Sequence, residues 1–114
     1  MPHFVIDCSE NVITIKTPEE ILQRVHDAAE ASGLFTGGDI IVRINPFKYY
    51  KPGKSKNDFI HVLAYIMQGR NTEQKSNLSK KIVTALNAMF PAVPIISINV
   101  IEVEKAGYCD KSMV

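Results

Sequence analysis

The segments of this sequence follow the order strand, helix, strand twice, and this repeat restricts the possible folds more than any other feature. Four segments rich in Ile, Val, Phe and Tyr, several of them apolar on both faces, predict strands at 3–8, 39–46, 58–67 and 95–103. One helix-like segment lies between the first two strands and another between the last two. Because the chain has 114 residues and is 46% hydrophobic, it can bury one core, and we expect a single domain over 1–114.

Capping signals mark the start of both helices. Thr17 is a suitable N-cap, and Glu20, three residues later, completes a capping box before an apolar stripe that ends at Gly33. Asn71 is the corresponding cap of the second helix, which Pro91 stops. The sequence therefore predicts two amphipathic helices, one in each strand-helix-strand unit.

A strand-helix-strand unit of this kind has parallel strands joined by a crossover helix. The two units, at about 2–46 and 58–103, predict an α+β fold: a four-stranded mixed sheet with both helices on one face. The opposite face of these apolar strands would then be uncovered, and an exposed apolar surface of that size marks an interface. We therefore expect an oligomer.

Charge and cysteine content exclude several classes of partner. The net charge is +1 at pH 7, although the segment KYYKPGKSK at 48–56 contains four lysines and no acid. Aromatic residues among lysines are compatible with binding single-stranded nucleic acid, but one basic loop on a nearly neutral chain favours a solvated loop, so we predict no nucleic-acid partner. Cys8 and Cys109 lack the spacing of a disulfide framework or a zinc site, and we predict no metal.

The sequence also lacks membrane and export signals. No segment approaches the roughly 18 to 20 consecutive apolar residues of a membrane span. Near the start, Asp7, Ser9 and Glu10 interrupt any candidate signal peptide. We therefore expect a cytoplasmic protein with no membrane partner.

Pro2 is an unfavourable residue with which to begin an apolar strand, because proline has no N–H group for the sheet. Removal of Met1 would give Pro2 a chemical role, because its nitrogen would then be a free secondary amine. An α-amino group titrates near pH ~8 in water, and burial or neighbouring cations favour its neutral form. Pro2 is therefore a candidate general base at physiological pH.

Four motifs carry a resemblance to a known family: MPHFVIDCS at the start, SGLF at 32–35, FIH at 59–61 and GRNTEQK at 69–75. With these motifs the chain resembles the tautomerase superfamily and, within it, the 5-carboxymethyl-2-hydroxymuconate isomerases. The resemblance implies a homotrimer whose three sheets line a central barrel. It also implies an amino-terminal proline that moves a proton within a dienol, with no metal or organic cofactor.

The resemblance also implies roles for individual residues. Pro2 matches the catalytic proline, and Arg70 matches an arginine that binds a substrate carboxylate. Arg43 matches a family arginine in the second strand, where it is either a substrate-binding pocket residue or an ion-pair partner at a subunit interface. The family commonly has GIRSR where this chain has DIIVR, so Ile41 stands where a substrate-binding arginine is expected. His3 and His61 are candidate pocket residues. The sequence favours a structural role for both, as strand histidines whose hydrogen bonds are satisfied within the protein.

The resulting prediction is a cofactor-independent isomerase that ketonises a carboxylated dienol of the 2-hydroxymuconate type, as in the catabolism of aromatic compounds. Two alternatives stay open. One is a tautomerase that acts on a smaller dienol with fewer carboxylates, in keeping with Ile41. The other is a binding or scaffold protein of the same fold that has no catalytic activity.

Overall fold

The computed structural model describes residues 1–54 and 56–114. Ser55, which belongs to the lysine-rich segment, lies outside the described residues. The strands are β1 (His3–Ser9), β2 (Ile41–Phe47), β3 (Phe59–Met67) and β4 (Ile95–Val103). The α-helices are α1 (Val12–Ile15), α2 (Pro18–Ala31) and α3 (Thr72–Met89), and short 3-10 turns lie at Gly37–Asp39, Lys105–Gly107 and Lys111–Met113.

The strands form one mixed sheet in the order β2-β1-β3-β4. β1 is parallel to β2, β3 is parallel to β4, and the two central strands β1 and β3 are antiparallel. Helix α2 connects the first parallel pair and α3 connects the second. The predicted α+β fold with two strand-helix-strand units is confirmed.

Strand boundaries differ from the prediction by at most two residues. The largest difference is at β2, which begins at Ile41 because Gly37–Asp39 forms a 3-10 turn. In that turn the Asp39 N–H donates to the Thr36 carbonyl at 2.9 Å, so this backbone donor is used locally and not in the sheet. β2 includes Pro46, which is tolerated because β2 is an edge strand.

Both long helices begin at the predicted caps. The Thr17 hydroxyl accepts a hydrogen bond from the Glu20 N–H at 3.2 Å. The predicted capping box at this helix is incomplete, because the Glu20 carboxylate accepts from the Thr17 hydroxyl and not from the Thr17 N–H. Asn71 forms a complete capping box with Gln74: the Asn71 side chain accepts from the Gln74 N–H at 2.8 Å, and the Gln74 side chain accepts from the Asn71 N–H at 2.9 Å. These bonds satisfy backbone donors that a helix start leaves unpaired.

The core lies between the sheet and the two helices, which also contact each other. Alternate strand residues point toward the helices, and those that are fully buried pack with the apolar faces of α2 and α3. This core includes Phe4, Ile6, Ile60, Val62, Ile66, Ile21, Val25, Leu78, Ile82 and Leu86. Its continuity explains why α2 and α3 occupy the same side of the sheet.

The intervening strand residues form the open face, which no helix of the described chain covers. This face carries apolar side chains in all four strands, among them Val5, Ile41, Leu63 and Ile95. Ile41 and Ile95 are 47% and 41% exposed, whereas Phe4 on the helix face is fully buried. The predicted uncovered apolar face is therefore present.

Candidate active site

Pro2 is buried immediately before β1. Its carbonyl oxygen accepts a hydrogen bond from the Ile41 N–H at 3.1 Å. The start of β2 thus fixes the backbone of Pro2, and the sheet positions the candidate base.

Arg70 lies between β3 and α3, directly before the Asn71 cap. The preceding Gly69 has φ +117°, a backbone conformation that favours glycine. Arg70 Nη2 donates to the Leu34 carbonyl at 2.6 Å, and its Cζ lies 5.8 Å from the centre of the Phe35 ring. The guanidinium is therefore held by a carbonyl and an aromatic face.

The SGLF motif supplies both of these contacts. The Phe35 ring packs edge-on against Phe4 of the core, with ring centroids 5.9 Å apart. Because Phe4 is fully buried, this contact joins Phe35 to the hydrophobic core. The motif thus links the core to the position of Arg70.

Pro2 and Arg70 line the same cleft, which has a volume of about 380 Å³. That volume falls in the range of about 300–1,000 Å³ that is usual for small-molecule sites. Met1, Phe35, Gln68 and Lys105 also line the cleft. The structure therefore brings the candidate base and the candidate carboxylate-binding residue together.

Sequence reasoning missed Gln68 and Lys105. The Gln68 side chain accepts from the Lys105 N–H at 2.8 Å, and the Gln68 N–H donates to the Val103 carbonyl at 3.0 Å. The strand directions could have indicated these two residues. The parallel strands β3 and β4 both end on the side of the sheet where β1, which is antiparallel to β3, begins. Residues that follow β4 must therefore lie near Pro2 and Arg70.

Arg43 and His3 lie on the open face and do not line this cleft. Arg43 Nη1 is 3.0 Å from His3 Nδ1. A guanidinium has only donors, so His3 Nδ1 is the acceptor. Burial lowers the pKa of His3, and the positive amino terminus and Arg43 lower it further.

Ile41 and His61 lie outside the cleft in the single chain. Ile41 is at the free edge of the sheet, where it lines a separate depression with Leu22 and His26 of α2. His61 Nδ1 is 2.6 Å from the Ser97 hydroxyl. In the sheet register His61 is four positions from Tyr65, the partner of His3, a separation of roughly 13 Å along the strand.

The lysine-rich loop lies at the other end of β1 from Pro2. Lys48, Tyr50 and Lys56 line a depression with Asp58, whose carboxylate accepts from the Ser9 hydroxyl at 2.8 Å. Among the described residues, no group of three or more His, Cys, Asp or Glu side chains could hold a metal ion. Within the same residues, no helix is long and apolar enough to cross a membrane.

Comparison with known proteins identifies the family of the chain. The profile of the 5-carboxymethyl-2-hydroxymuconate isomerase family matches residues 2–105. The 5-carboxymethyl-2-hydroxymuconate Delta-isomerase of Escherichia coli is 22% identical over 95 residues, which cover 82% of this chain and 75% of that protein.

Two solved structures show the similarity of the fold. The 5-carboxymethyl-2-hydroxymuconate isomerase of Deinococcus radiodurans R1 superposes with a TM-score of 0.83 at 24% identity, covering 96% of this chain and 88% of that one. The Q0 fused 4-OT wild type symmetric trimer superposes with a TM-score of 0.81 at 14% identity, covering 98% and 94%. The predicted tautomerase-like fold and isomerase class are confirmed. The chain belongs to the 5-carboxymethyl-2-hydroxymuconate isomerase family.

Proposed function

We propose that this isomerase ketonises a carboxylated dienol of the 2-hydroxymuconate type, with Pro2 as its general base and acid. The observation that carries the proposal is that Pro2 and Arg70 line one cleft. The neutral proline nitrogen accepts the proton of the 2-hydroxyl group, and the O–H electron pair forms the C2 carbonyl. The double bonds shift along the conjugated chain, and the protonated proline returns the proton to a carbon atom. Atoms and charge balance without a co-reactant.

This mechanism requires that Met1 be removed. While Met1 is attached, the Pro2 nitrogen is part of an amide and is not basic, and Met1 itself lines the cleft. The small Pro2 side chain is compatible with removal of the initiator methionine. Once free, the amine would lie in a buried position with Arg70 and Lys105 in the same cleft, and burial and cations both disfavour its protonated form.

Arg70 is the proposed carboxylate-binding residue. Among the described residues, its guanidinium makes one hydrogen bond, to the Leu34 carbonyl. An arginine side chain has five N–H donors, so a substrate carboxylate can take others of them as a charge-assisted pair. The same positive charge stabilises negative charge that develops on the conjugated oxygen.

The open face supports a homotrimer. Fused 4-OT proteins with this fold form trimers, and the apolar open face of this chain needs cover. Three sheets around a central barrel would cover the remaining exposed surface of Leu63 and Ile95. They would also enclose Arg43 and His3, and we propose Arg43 as a second substrate-binding residue in that assembly.

A second candidate substrate is a dienol with fewer carboxylates. The observation that favours it is Ile41, an apolar residue where the family commonly has an arginine. Ile41→Arg is then expected to raise kcat/KM for a tricarboxylate dienol relative to a monocarboxylate one. An unchanged ratio would mean that position 41 does not face the substrate.

An ultraviolet assay of dienol loss, combined with intact-mass measurement, tests the proposed function. Protein that begins at Pro2 should turn over the dienol, and protein that retains Met1 should be inactive. Pro2→Ala keeps a primary amine and should lose less activity than chemical blocking of the amine. Full activity of protein with Met1 retained would contradict the proline mechanism. Negligible turnover of every dienol by the processed protein would favour the scaffold alternative.

A further inference from the structure

Lys105 is held at the cleft by its backbone. It begins the 3-10 turn that follows β4. Its N–H donates to the Gln68 side chain at 2.8 Å, and its carbonyl accepts from the Tyr108 N–H at 3.2 Å. Gln68 also lines the cleft, so this bond joins the Lys105 segment directly to the segment that carries Arg70.

The charge of the cleft is entirely positive among the described residues. Arg70 and Lys105 are the lining residues that have charged side chains, and no Asp or Glu is among the lining residues. The nearby Glu102 is paired with Lys75. In the described part of the chain, the Lys105 ammonium forms no salt bridge. Two residues with cationic side chains therefore line the cleft, one on each of two separate segments.

We propose that Lys105 binds a second carboxylate, so that the site is specific for dicarboxylate dienols. This inference rests on the proposed function for the chemistry of the diene, but the contacts that carry it concern binding alone. Arg70 would hold one carboxylate with its planar fork, and Lys105 would hold the other as a compact charge on a flexible stem. Lys105 would thus supply a cation to a chain that has Ile41 in place of an arginine.

A pair of unreactive ligands tests this proposal without turnover. Hexa-2,4-dienedioate and hexa-2,4-dienoate share a six-carbon diene, differ by one carboxylate, and lack the hydroxyl group needed for ketonisation. Titration calorimetry at low ionic strength should give a dissociation constant about tenfold lower for the dicarboxylate, since charge pairs are strongest when salt does not screen them. A symmetric diacid gains about twofold from its two equivalent ends, so the expected ratio exceeds that statistical factor.

Three variants define the role of Lys105. Lys105→Met should reduce the dicarboxylate preference to about twofold or less, while Lys105→Arg should retain it. Lys111→Met is the matched control: it removes one lysine from the same carboxy-terminal segment, at an exposed position outside the cleft. It should leave the preference unchanged. Circular dichroism confirms that each variant is folded.

Several outcomes would overturn the proposal. These are equal affinity for the two ligands in the parent protein, no detectable binding of the dicarboxylate, or a preference that survives Lys105→Met. A failure of this proposal can be distinguished from a failure of the proposed function. A retained preference without dienol turnover contradicts the catalytic proposal alone, whereas turnover with equal ligand affinities contradicts the role of Lys105 alone.

Discussion

The Leu34 carbonyl and the Phe35 ring both contact the Arg70 guanidinium. Its position just before α3 is electrostatically unfavourable, because the amino-terminal end of a helix is positive. A bound carboxylate relieves this conflict by interacting with both charges. The arrangement therefore favours binding of an anion at Arg70 over leaving the site empty.

Arg70→Ala should lower kcat/KM for the dienol about 100-fold or more, near 3 kcal/mol, because it removes a charge-assisted partner of the substrate. Steady-state rates with protein that begins at Pro2 provide the measurement. Arg24→Ala removes an exposed arginine from α2 and should leave kcat/KM nearly unchanged. Equal activity of Arg70→Ala and the parent would remove Arg70 from the site.

Sequence patterns predicted Pro2 and Arg70 but not Lys105, and the reason is physical. Pro2 and Arg70 belong to motifs with unusual residue order, whereas Lys105 is one lysine among many near the end of a strand. Only the pairing of β3 with β4 brings Lys105 beside Gln68. The sequence could also not reveal that Arg43 contacts His3, because that bond spans 40 positions between two strands.

At the scale of elements, α3 begins with a complete capping box adjacent to Arg70. Asn71→Ala removes the side-chain acceptor of the Gln74 N–H and should lower the free energy of unfolding by about 1 kcal/mol. Urea denaturation measures this change. Asn71→Asp keeps an acceptor oxygen at the cap and should cost less, so equal losses in both variants would show that the cap does not stabilise α3.

β1 carries Cys8 on its buried face. Burial, together with the negative charges of Asp7 and Asp58, raises the pKa of the Cys8 thiol to about 11. Near pH 8 only about one molecule in a thousand would carry the reactive thiolate. A thiol reagent should therefore modify the exposed Cys109 quickly and Cys8 only when the protein unfolds.

Cys109→Ser should abolish the fast phase of that reaction and leave the slow one. Rapid labelling of Cys8 in the native protein would contradict a buried β1.

The raised pKa of Cys8 also affects stability. The unfolded chain loses the Cys8 proton first, so the free energy of unfolding should fall as the pH rises above about 8.5 toward 11.

The elements differ in how readily the sequence revealed them. Strands β1 to β4 and helices α2 and α3 have long apolar patterns and, for the helices, side-chain caps. Helix α1 has four residues, and Asn11 at its start makes no side-chain cap bond. Such a short helix has too few residues for a periodic pattern, and Val12 is its one fully buried residue.

At the scale of the whole molecule, the open face predicts self-association. Leu63 lies on this face opposite Val5 in the central pair of strands. Leu63→Glu would place a charge in the proposed interface and should convert the trimer to a monomer of about 12.7 kDa in light scattering. Lys80→Glu, on the exposed side of α3, should leave the trimer intact. A monomeric parent at micromolar concentration would contradict the proposed assembly.

The strand order β2-β1-β3-β4 also has an internal pseudo-twofold relation, since a rotation between β1 and β3 exchanges the two strand-helix-strand units. Under this rotation the end of the sheet that holds Pro2 corresponds to the end that holds Asp58, where a second depression opens. A chain has only one terminal amine, so only one of these equivalent positions can carry the proposed base. The fold is therefore nearly symmetric, but only one of the two related ends in each chain can carry the proposed base. A trimer would contain six such ends and three terminal amines.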